Sequence, residues 1–262
     1  MADGQLQITV LGSGTSSGVP TLGCDCRVCH SADPRDRRLR PSILIQWEGR
    51  NILIDTTPDF RQQALRENIE RIDAILYTHA HADHILGLDD LRPFNYKQQA
   101  SIPIYGSEET LGNIQNVFRY VFENHNPKAA VPKVDVHVLN GGCVDLFGLP
   151  VQPVRLKHGK GVTNGYRFGP AAYLTDHSEI PQDTLDRLHG LDLLFLDALR
   201  HRPHPTHSTV AQSLETVAVL KPKRAFFTHI SHDLPHAETE ASLPENVRLS
   251  YDGLRLEVAA PK

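Results

Sequence analysis

Between Tyr77 and His84 the chain reads Y-T-H-A-H-A-D-H, which sets His79, His81, Asp83 and His84 almost side by side. An apolar run of strand length, 72–78, precedes the motif, and a helix is expected over 85–91 after it. The spacing differs from the helical H-E-x-x-H pattern, whose two histidines share a face at i and i+4. A tight loop at the end of a strand instead aims His79 and His81 at one ion and Asp83 and His84 at a neighbour. A closed structural zinc needs only four ligands. Four candidates in so short a span, with more downstream, imply two ions. The chain's 15 histidines are clustered rather than scattered, which also asks for metal.

At 262 residues the chain can bury a sizeable core as one α/β domain or two small ones. Strands are expected at 6–11, 42–47, 51–55, 72–78, 104–105, 135–139, 151–156, 165–168, 171–175, 191–196, 224–228 and 254–258, with another near Val247. Helices are expected at 59–67, capped by Asp59 or Thr57, and at 108–122, 182–188 and 208–220. Many strands with interspersed helices in two similar halves suggest two sheets packed face to face with helices outside. Gly12-Ser-Gly-Thr-Ser-Ser-Gly18 is spaced G-x-G-x-x-x-G and runs into Val19-Pro20, so it is no dinucleotide loop and reads as a flexible lead to the cysteines.

With these residues in view, the sequence resembles the metallo-β-lactamase superfamily. The resemblance implies an αββα sandwich of two packed mixed β-sheets with helices outside and a binuclear site along one edge. That superfamily uses a further histidine, an aspartate at a strand end and a last histidine, which His158, Asp176 and His229 match in order. The resemblance assigns His79, His81 and His158 to one metal, Asp83, His84 and His229 to the other, and Asp176 to bridge them. Asp55, ending N-I-L-I-D, would brace the loop behind the ligands. His125 and His177 have no family counterpart and are treated as surface or structural.

Cys24, Cys26 and Cys29 lie in L-G-C-D-C-R-V-C-H, and only one other cysteine, Cys143, occurs in the chain. The C-x-x-C-H inside this stretch matches a c-type haem anchor. Haem attachment normally follows export, however, and the start Met1-Ala-Asp-Gly-Gln lacks the basic and apolar run of a signal peptide. A cytoplasmic protein with reduced thiols is expected, and no stretch is apolar enough to span a bilayer. G-C-x-C-x-x-C near the N-terminus together with T-H-I-S-H near the C-terminus is similar to the phosphoribosyl 1,2-cyclic phosphate phosphodiesterase family of phosphonate breakdown. That resemblance implies a structural zinc on Cys24, Cys26, Cys29 and His232, and one domain over 1–262 with its zinc loop at about 20–32. It also hints at a homodimer. Cys143 reads as a small packed or semi-exposed residue.

Two divalent ions suit phosphodiester hydrolysis, because they acidify a bridging water and neutralise charge on the phosphoryl oxygens. The departing alkoxide needs a proton. His207, in P-T-H-S-T just before the helix at 208–220, is the candidate donor, and Asp197 its hydrogen-bonding partner. Asp83 joins them as a catalytic candidate. H-S-T also resembles the transfer-RNA 3′-end processing endonucleases, where an acid–histidine pair serves similarly. Arg200, His201, Arg202 and His204 are candidates for gripping a terminal phosphate. The expected activity is hydrolysis of a small, cyclic phosphodiester such as 5-phosphoribosyl 1,2-cyclic phosphate, with zinc or manganese in the binuclear centre and one structural zinc. A transfer-RNA processing endonuclease, a thioesterase or glyoxalase-type hydrolase, and a metal-binding sensor or scaffold remain as alternatives. The net charge of −4 and the lack of a basic, Gly-rich arm disfavour nucleic acid as a partner.

Overall fold

A computed structural model describes residues 4–123 and 130–259; His125 lies outside the described residues. In chain order the strands of the first sheet are β1 (Gln5–Gly12), β2 (Ser42–Trp47), β3 (Arg50–Ile54), β4 (Ala74–Leu76), β5 (Ile102–Gly106) and β6 (Val134–Val138). Those of the second are β7 (Val144–Leu146), β8 (Leu149–His158), β9 (Gly161–Phe168), β10 (Ala171–Leu174), β11 (Leu193–Asp197), β12 (Arg224–Thr228) and β13 (Val247–Leu249), and β14 (Arg255–Ala259) returns to the first. The helices are α1 (Phe60–Arg66), α2 (Ala82–Ile85), α3 (Arg92–Gln98), α4 (Glu108–Val117), α5 (Arg119–Phe122), α6 (Gln182–Leu185), α7 (Val210–Leu220) and α8 (His236–Ala241).

The strands form two seven-stranded sheets, ordered β14-β1-β2-β3-β4-β5-β6 and β13-β12-β11-β10-β9-β8-β7. In the first, β14 through β3 run antiparallel and β3 through β6 parallel. The second repeats this, with β7 through β10 antiparallel and β10 through β13 parallel. The parallel strands have short, wholly apolar cores such as Ala74-Ile-Leu76 and Leu193-Leu-Phe-Leu196, because both faces of each are covered. The inner faces meet in one cluster that includes Ile45, Trp47, Tyr166, Phe168 and Phe195. A second apolar layer packs the outer face of the first sheet, with Phe60 of α1 and Ile114 of α4. A third packs the outer face of the second, with Val210, Val217 and Leu220 of α7. The chain is therefore an α/β protein with the αββα order of layers.

Several sequence expectations need correction. The Gly12–Gly18 stretch is a packed segment, not a flexible lead. Ser13 is fully buried, its N–H and hydroxyl both donate to Asp252 at 2.9 Å, and a Cβ on Gly12 would lie 1.9 Å from the Arg40 carbonyl oxygen. The expected helix over 85–91 is instead the single turn α2 followed by a 3₁₀ turn at Leu88–Leu91, and then α3, whose Pro93 sits in its first turn. The helix expected over 108–122 breaks at Phe118. Asp59 does not cap α1 with its side chain: it is drawn to the Arg40 guanidinium at 2.9 Å. In the apolar run 72–78 the strand covers Ala74–Leu76, one further bond joins the Tyr77 N–H to the Tyr105 carbonyl at 2.8 Å, and Thr78 to His81 then leave the sheet as a loop.

Candidate metal centre and active-site cleft

All the candidate ligands sit at the carboxyl ends of strands, where a parallel sheet presents loops rather than edges. Asp55 follows β3, the His79–His84 loop follows β4, His158 ends β8, Asp176 follows β10, and His229 follows β12. Asp55, Asp176 and His229 all have left-handed backbone conformations, with φ of 64°, 52° and 58°. Non-glycine residues hold such a conformation only where the surroundings fix it. The two sheets are fastened at this edge: the Tyr166 hydroxyl donates to the Tyr77 carbonyl at 2.6 Å and the Asn164 N–H to that of Thr78 at 2.9 Å.

Two groups of donor atoms result. Ring nitrogens of His79, His81 and His158 lie within 4.8 Å of one another, and so do donor atoms of Asp83, His84, Asp176 and His229. Asp176 lies between the groups. Its carboxylate is 3.9 Å from His79 Nε2 on one side and 3.3 Å from both His84 Nε2 and His229 Nε2 on the other. The far nitrogens of His84, His158 and His79 are tied down, whereas His229 Nδ1 is buried without a partner. His84 Nδ1–H donates to Asp55 at 2.7 Å, His158 Nδ1–H donates to the Thr206 carbonyl at 2.8 Å, and His79 Nδ1 meets the Thr78 hydroxyl at 3.0 Å. Asp55 in turn accepts the N–H and hydroxyl of Thr78, each at 2.8 Å. Such partners set the tautomer and leave each Nε2 lone pair directed inward.

The inward atoms are what a cation would satisfy. His79 Nε2, His84 Nε2, His229 Nε2 and an Asp83 oxygen are buried without any hydrogen-bond partner. Unpaired buried polar atoms are rare and costly, and four in one cluster of imidazoles and carboxylates fit a pair of divalent ions. The electrostatics agree. Burial pulls the His84 pKa down, but Asp176, Asp83 and Asp55 outweigh it and hold it well above the ordinary histidine range. Burial is likewise overcome at His229, which Asp176 and Asp83 push up to about 9. Asp176, despite its burial, is held well below the usual carboxylate range by His229, His84 and His79. The carboxylates thus favour positive charge at this point.

Beside the cluster His207 Nδ1–H donates to Asp197 at 2.8 Å, and the ring faces an open cleft of about 550 Å³. Asp197 is fully buried and also accepts the His177 N–H at 3.0 Å. The His207 ring stacks on His229 with centroids 4.4 Å apart and 12° between planes. Thr209, with Gln212, forms a capping box that starts α7 two residues later than expected and leaves His207 in the preceding loop.

At the end of the sandwich the three thiols converge on one imidazole. His232 Nδ1 is 3.2, 3.6 and 3.5 Å from the sulfurs of Cys24, Cys26 and Cys29. A tetrahedral zinc with Zn–S of about 2.3 Å and Zn–N of about 2.05 Å places such atoms about 3.6 Å apart. The Cys29 N–H donates to Cys26 Sγ and is the main reason the Cys26 thiol is lowered to about 6, while burial pushes Cys29 up to about 11. His30 of the haem-like C-x-x-C-H is exposed and turns to Asp25.

Among the residues proposed to grip phosphate, His204 lines the cleft, whereas Arg200 and Arg202 turn to Asp233 and His201 is exposed. Cys143 is exposed rather than packed. The sequence reading missed the α4 wall of the cleft (Glu109, Thr110 and Asn113) and Ser16. It also missed Arg38, which is 1 % exposed and donates to the Ser231 and Leu234 carbonyls at 2.8 and 2.7 Å, clamping the His232 loop. A polar helix face and a backbone carbonyl such as that of Thr206 give no motif; only the burial of an arginine could have marked Arg38.

A family model for the beta-lactamase superfamily domain matches residues 50–230, which leaves the cysteine loop and His232 outside it. Among solved structures, a diphosphatase from the PhnP family superposes with a TM-score of 0.92 at 53 % identity, over 98 % of this chain and 99 % of that one. An octanoyltransferase of Porphyromonas gingivalis is 40 % identical over 253 residues, 95 % of this chain but 51 % of that protein, so the chain spans about half the length of that relative. A coenzyme PQQ synthesis protein B of Methylobacterium nodulans is 36 % identical over 221 residues, 73 % of this chain and 72 % of the other.

Proposed function

The chain belongs to the beta-lactamase superfamily, and from that premise we propose that it is a metal-dependent hydrolase that cleaves a phosphoric ester or anhydride bond in a small molecule. His79, His81 and His158 would hold one divalent ion, Asp83, His84 and His229 a second, and Asp176 would touch both. When bound, such ions activate water and neutralise the charge that builds on phosphoryl oxygens. The protein's own groups do the rest. Asp55, Thr78 and the Thr206 carbonyl keep the imidazoles in one tautomer and orientation. The observation that carries the reading is the Asp197–His207 pair at 2.8 Å beside the cluster. His207 donates its proton to the leaving oxygen, while Asp197, fixed by the His177 N–H, holds the ring and stabilises it as a cation before transfer. An alkoxide leaving group needs that proton more than the thiolate of a thioester does. The 53 % identity to a PhnP-family diphosphatase supports the same chemistry. The cysteine loop would carry a third ion of structural role on Cys24, Cys26, Cys29 and His232.

The test is a panel assay of purified protein supplied with zinc or manganese. It sets bis(p-nitrophenyl) phosphate, a five-membered cyclic phosphodiester and a diphosphate diester against a thioester and a β-lactam, with metal content measured alongside. Turnover of at least one phosphoric substrate at about three ions per chain is expected. Hydrolysis confined to the thioester or β-lactam would overturn the proposal.

A further inference from the structure

The cleft that opens on the candidate metal cluster carries an unusual charge distribution for an enzyme of phosphorylated substrates. Its walls come from the His79–His84 loop, the β8–β9 hairpin, the loop before α7, Ser16 and the first two turns of α4. Among the described residues, neither a lysine nor an arginine lines it. Apart from Asp83 and Asp176, which belong to the cluster, Glu109 is the one acidic lining residue among those described. The nearby guanidinium groups are occupied elsewhere: Arg200 and Arg202 face Asp233, and Arg40 is bound to Asp59 and the Ser16 carbonyl.

The start of α4 offers no compensation. The Ser107 hydroxyl takes the Thr110 N–H, and Glu108 and Glu109 place negative charge where the helix dipole is positive. A second phosphate reaching this wall would meet a carboxylate and no counter-charge among the described lining residues, the nearest ammonium in sequence to a lining residue being that of Lys160 at the turn between β8 and β9. What the wall does offer is polar and hydroxyl-matched. Glu109 and Asn113 stand one helical turn apart on the same face and both border the cleft. A carboxylate that accepts two hydroxyl protons, beside an amide that both donates and accepts, suits neighbouring hydroxyls of a sugar ring.

We propose that the α4 wall, through Glu109 and Asn113, is a subsite for an uncharged, hydroxyl-bearing group. The substrate is then a sugar phosphodiester or diphosphate whose far end is a free polyol rather than a second phosphate monoester. This rests on the phosphohydrolase reading above and narrows it, since 5-phosphoribosyl 1,2-cyclic phosphate carries such a second phosphate. Glu109 and Asn113 are specificity residues, with no part in moving the reaction's protons.

The experiment compares ribosyl 1,2-cyclic phosphate with its 5-phosphorylated form, which share the reacting ring. The wild-type enzyme should favour the unphosphorylated form in kcat/KM by roughly fivefold, the scale of one like-charge contact at an exposed residue such as Glu109. The difference should fall mainly in KM. Glu109→Gln should narrow the ratio, and Glu109→Lys should reverse it. If neither compound is cleaved, ribose 1-phosphate and ribose 1,5-bisphosphate are ranked as competitive inhibitors of bis(p-nitrophenyl) phosphate hydrolysis, and the same order and the same reversal are expected. Preference for the 5-phosphorylated compound, lost in Lys160→Ala, would overturn the proposal by showing that the hairpin lysine supplies the missing counter-charge. A ratio unmoved by Glu109→Lys would overturn it as well. Inactivity on every phosphoric substrate is a different result, because it removes the phosphohydrolase reading itself.

Discussion

Replacing His207 tests the chemistry most directly, because its expected effect depends on the leaving group. The ring is bound to a fully buried carboxylate at 2.8 Å, so its orientation is fixed before substrate arrives. A positioned general acid is worth roughly 10²- to 10⁴-fold when the departing oxygen is a poor leaving group. It contributes far less when that oxygen is p-nitrophenolate, which departs without protonation. His207→Ala should therefore lose roughly 10²- to 10⁴-fold in kcat on a cyclic sugar phosphodiester, and much less on bis(p-nitrophenyl) phosphate. Asp197→Asn should fall between the two. It removes a charge-assisted hydrogen bond worth about 1.5–3 kcal/mol, or roughly 10- to 150-fold in rate. One Asp197 oxygen accepts from both His207 Nδ1–H and the His177 N–H, so the amide oxygen can keep both contacts and the loss is that of the charge alone. Stopped assays on the two substrates, with metal content checked in each variant, decide the matter. Equal losses on both substrates at full metal occupancy would refute the acid role and leave His207 as a mere neighbour of His229.

Three further outcomes are expected. Cys26→Ser should lose one metal equivalent per chain by elemental analysis and unfold at a lower temperature, since the ion organises a loop with little apolar packing beyond Val19 and Val28; unchanged metal content would exclude the Cys24–Cys26–Cys29–His232 site. Asp55→Asn should weaken metal binding by roughly 10- to 100-fold in chelator competition, because one neutral amide oxygen replaces the two charged ones that accept from His84 Nδ1–H and Thr78. Asp252, whose carboxyl burial raises to about 6, has a folded-state value above the ordinary carboxylate value of about 3.9. Its contribution to stability is thus fully present well below pH 4 and lost as pH rises through about 6, so the stability of wild type relative to Asp252→Asn should fall by about 2 kcal/mol between pH 4 and 7 in urea titrations.

How much of this was legible in the sequence depended on whether a residue's role is local. His79, His81, Asp83 and His84 stand on one loop, and their spacing alone separates them from a helical site. The strand-end residues Asp176 and His229 were placed by family resemblance, because nothing near them states which strand ends share an edge. Apolar runs located most strands, but not their pairing limits: β8 and β9 extend to His158 and Gly161 because hairpin hydrogen bonds continue past the apolar core. The Gly12–Gly18 stretch misled because glycine and serine signal freedom as readily as close approach. Here Gly12 is required by contact with Arg40, a residue far along the chain. Glu109 and Asn113 looked like any exposed helix face, since only the tertiary fold decides that they border a cleft.

The two halves of the chain share no repeat readable in sequence, yet their sheets have one topology, and that explains where the chemistry sits. β3 and β10 are counterparts, each the first of three parallel pairings, and each is followed by a left-handed aspartate, Asp55 and Asp176. β4 and β11 are counterparts as well: one leads to His79–His84, the other ends in Asp197 and leads to His207. In the first half the aspartate stands behind the imidazoles, with its oxygens spent on His84 and Thr78. In the second it stands among them, with its oxygens turned to His79, His84 and His229. Glycine would relieve a left-handed φ at about 1–2 kcal/mol per position, but it carries no carboxylate. The strain is tolerated because each side chain finds fixed charged partners, and a neutral replacement would keep the strain while losing them. Equivalent strand ends thus carry unequal side chains: the first half places Asp55 behind His79, His81, Asp83 and His84, and the second brings His158, Asp176 and His229 to the same cluster with the Asp197–His207 pair beside it.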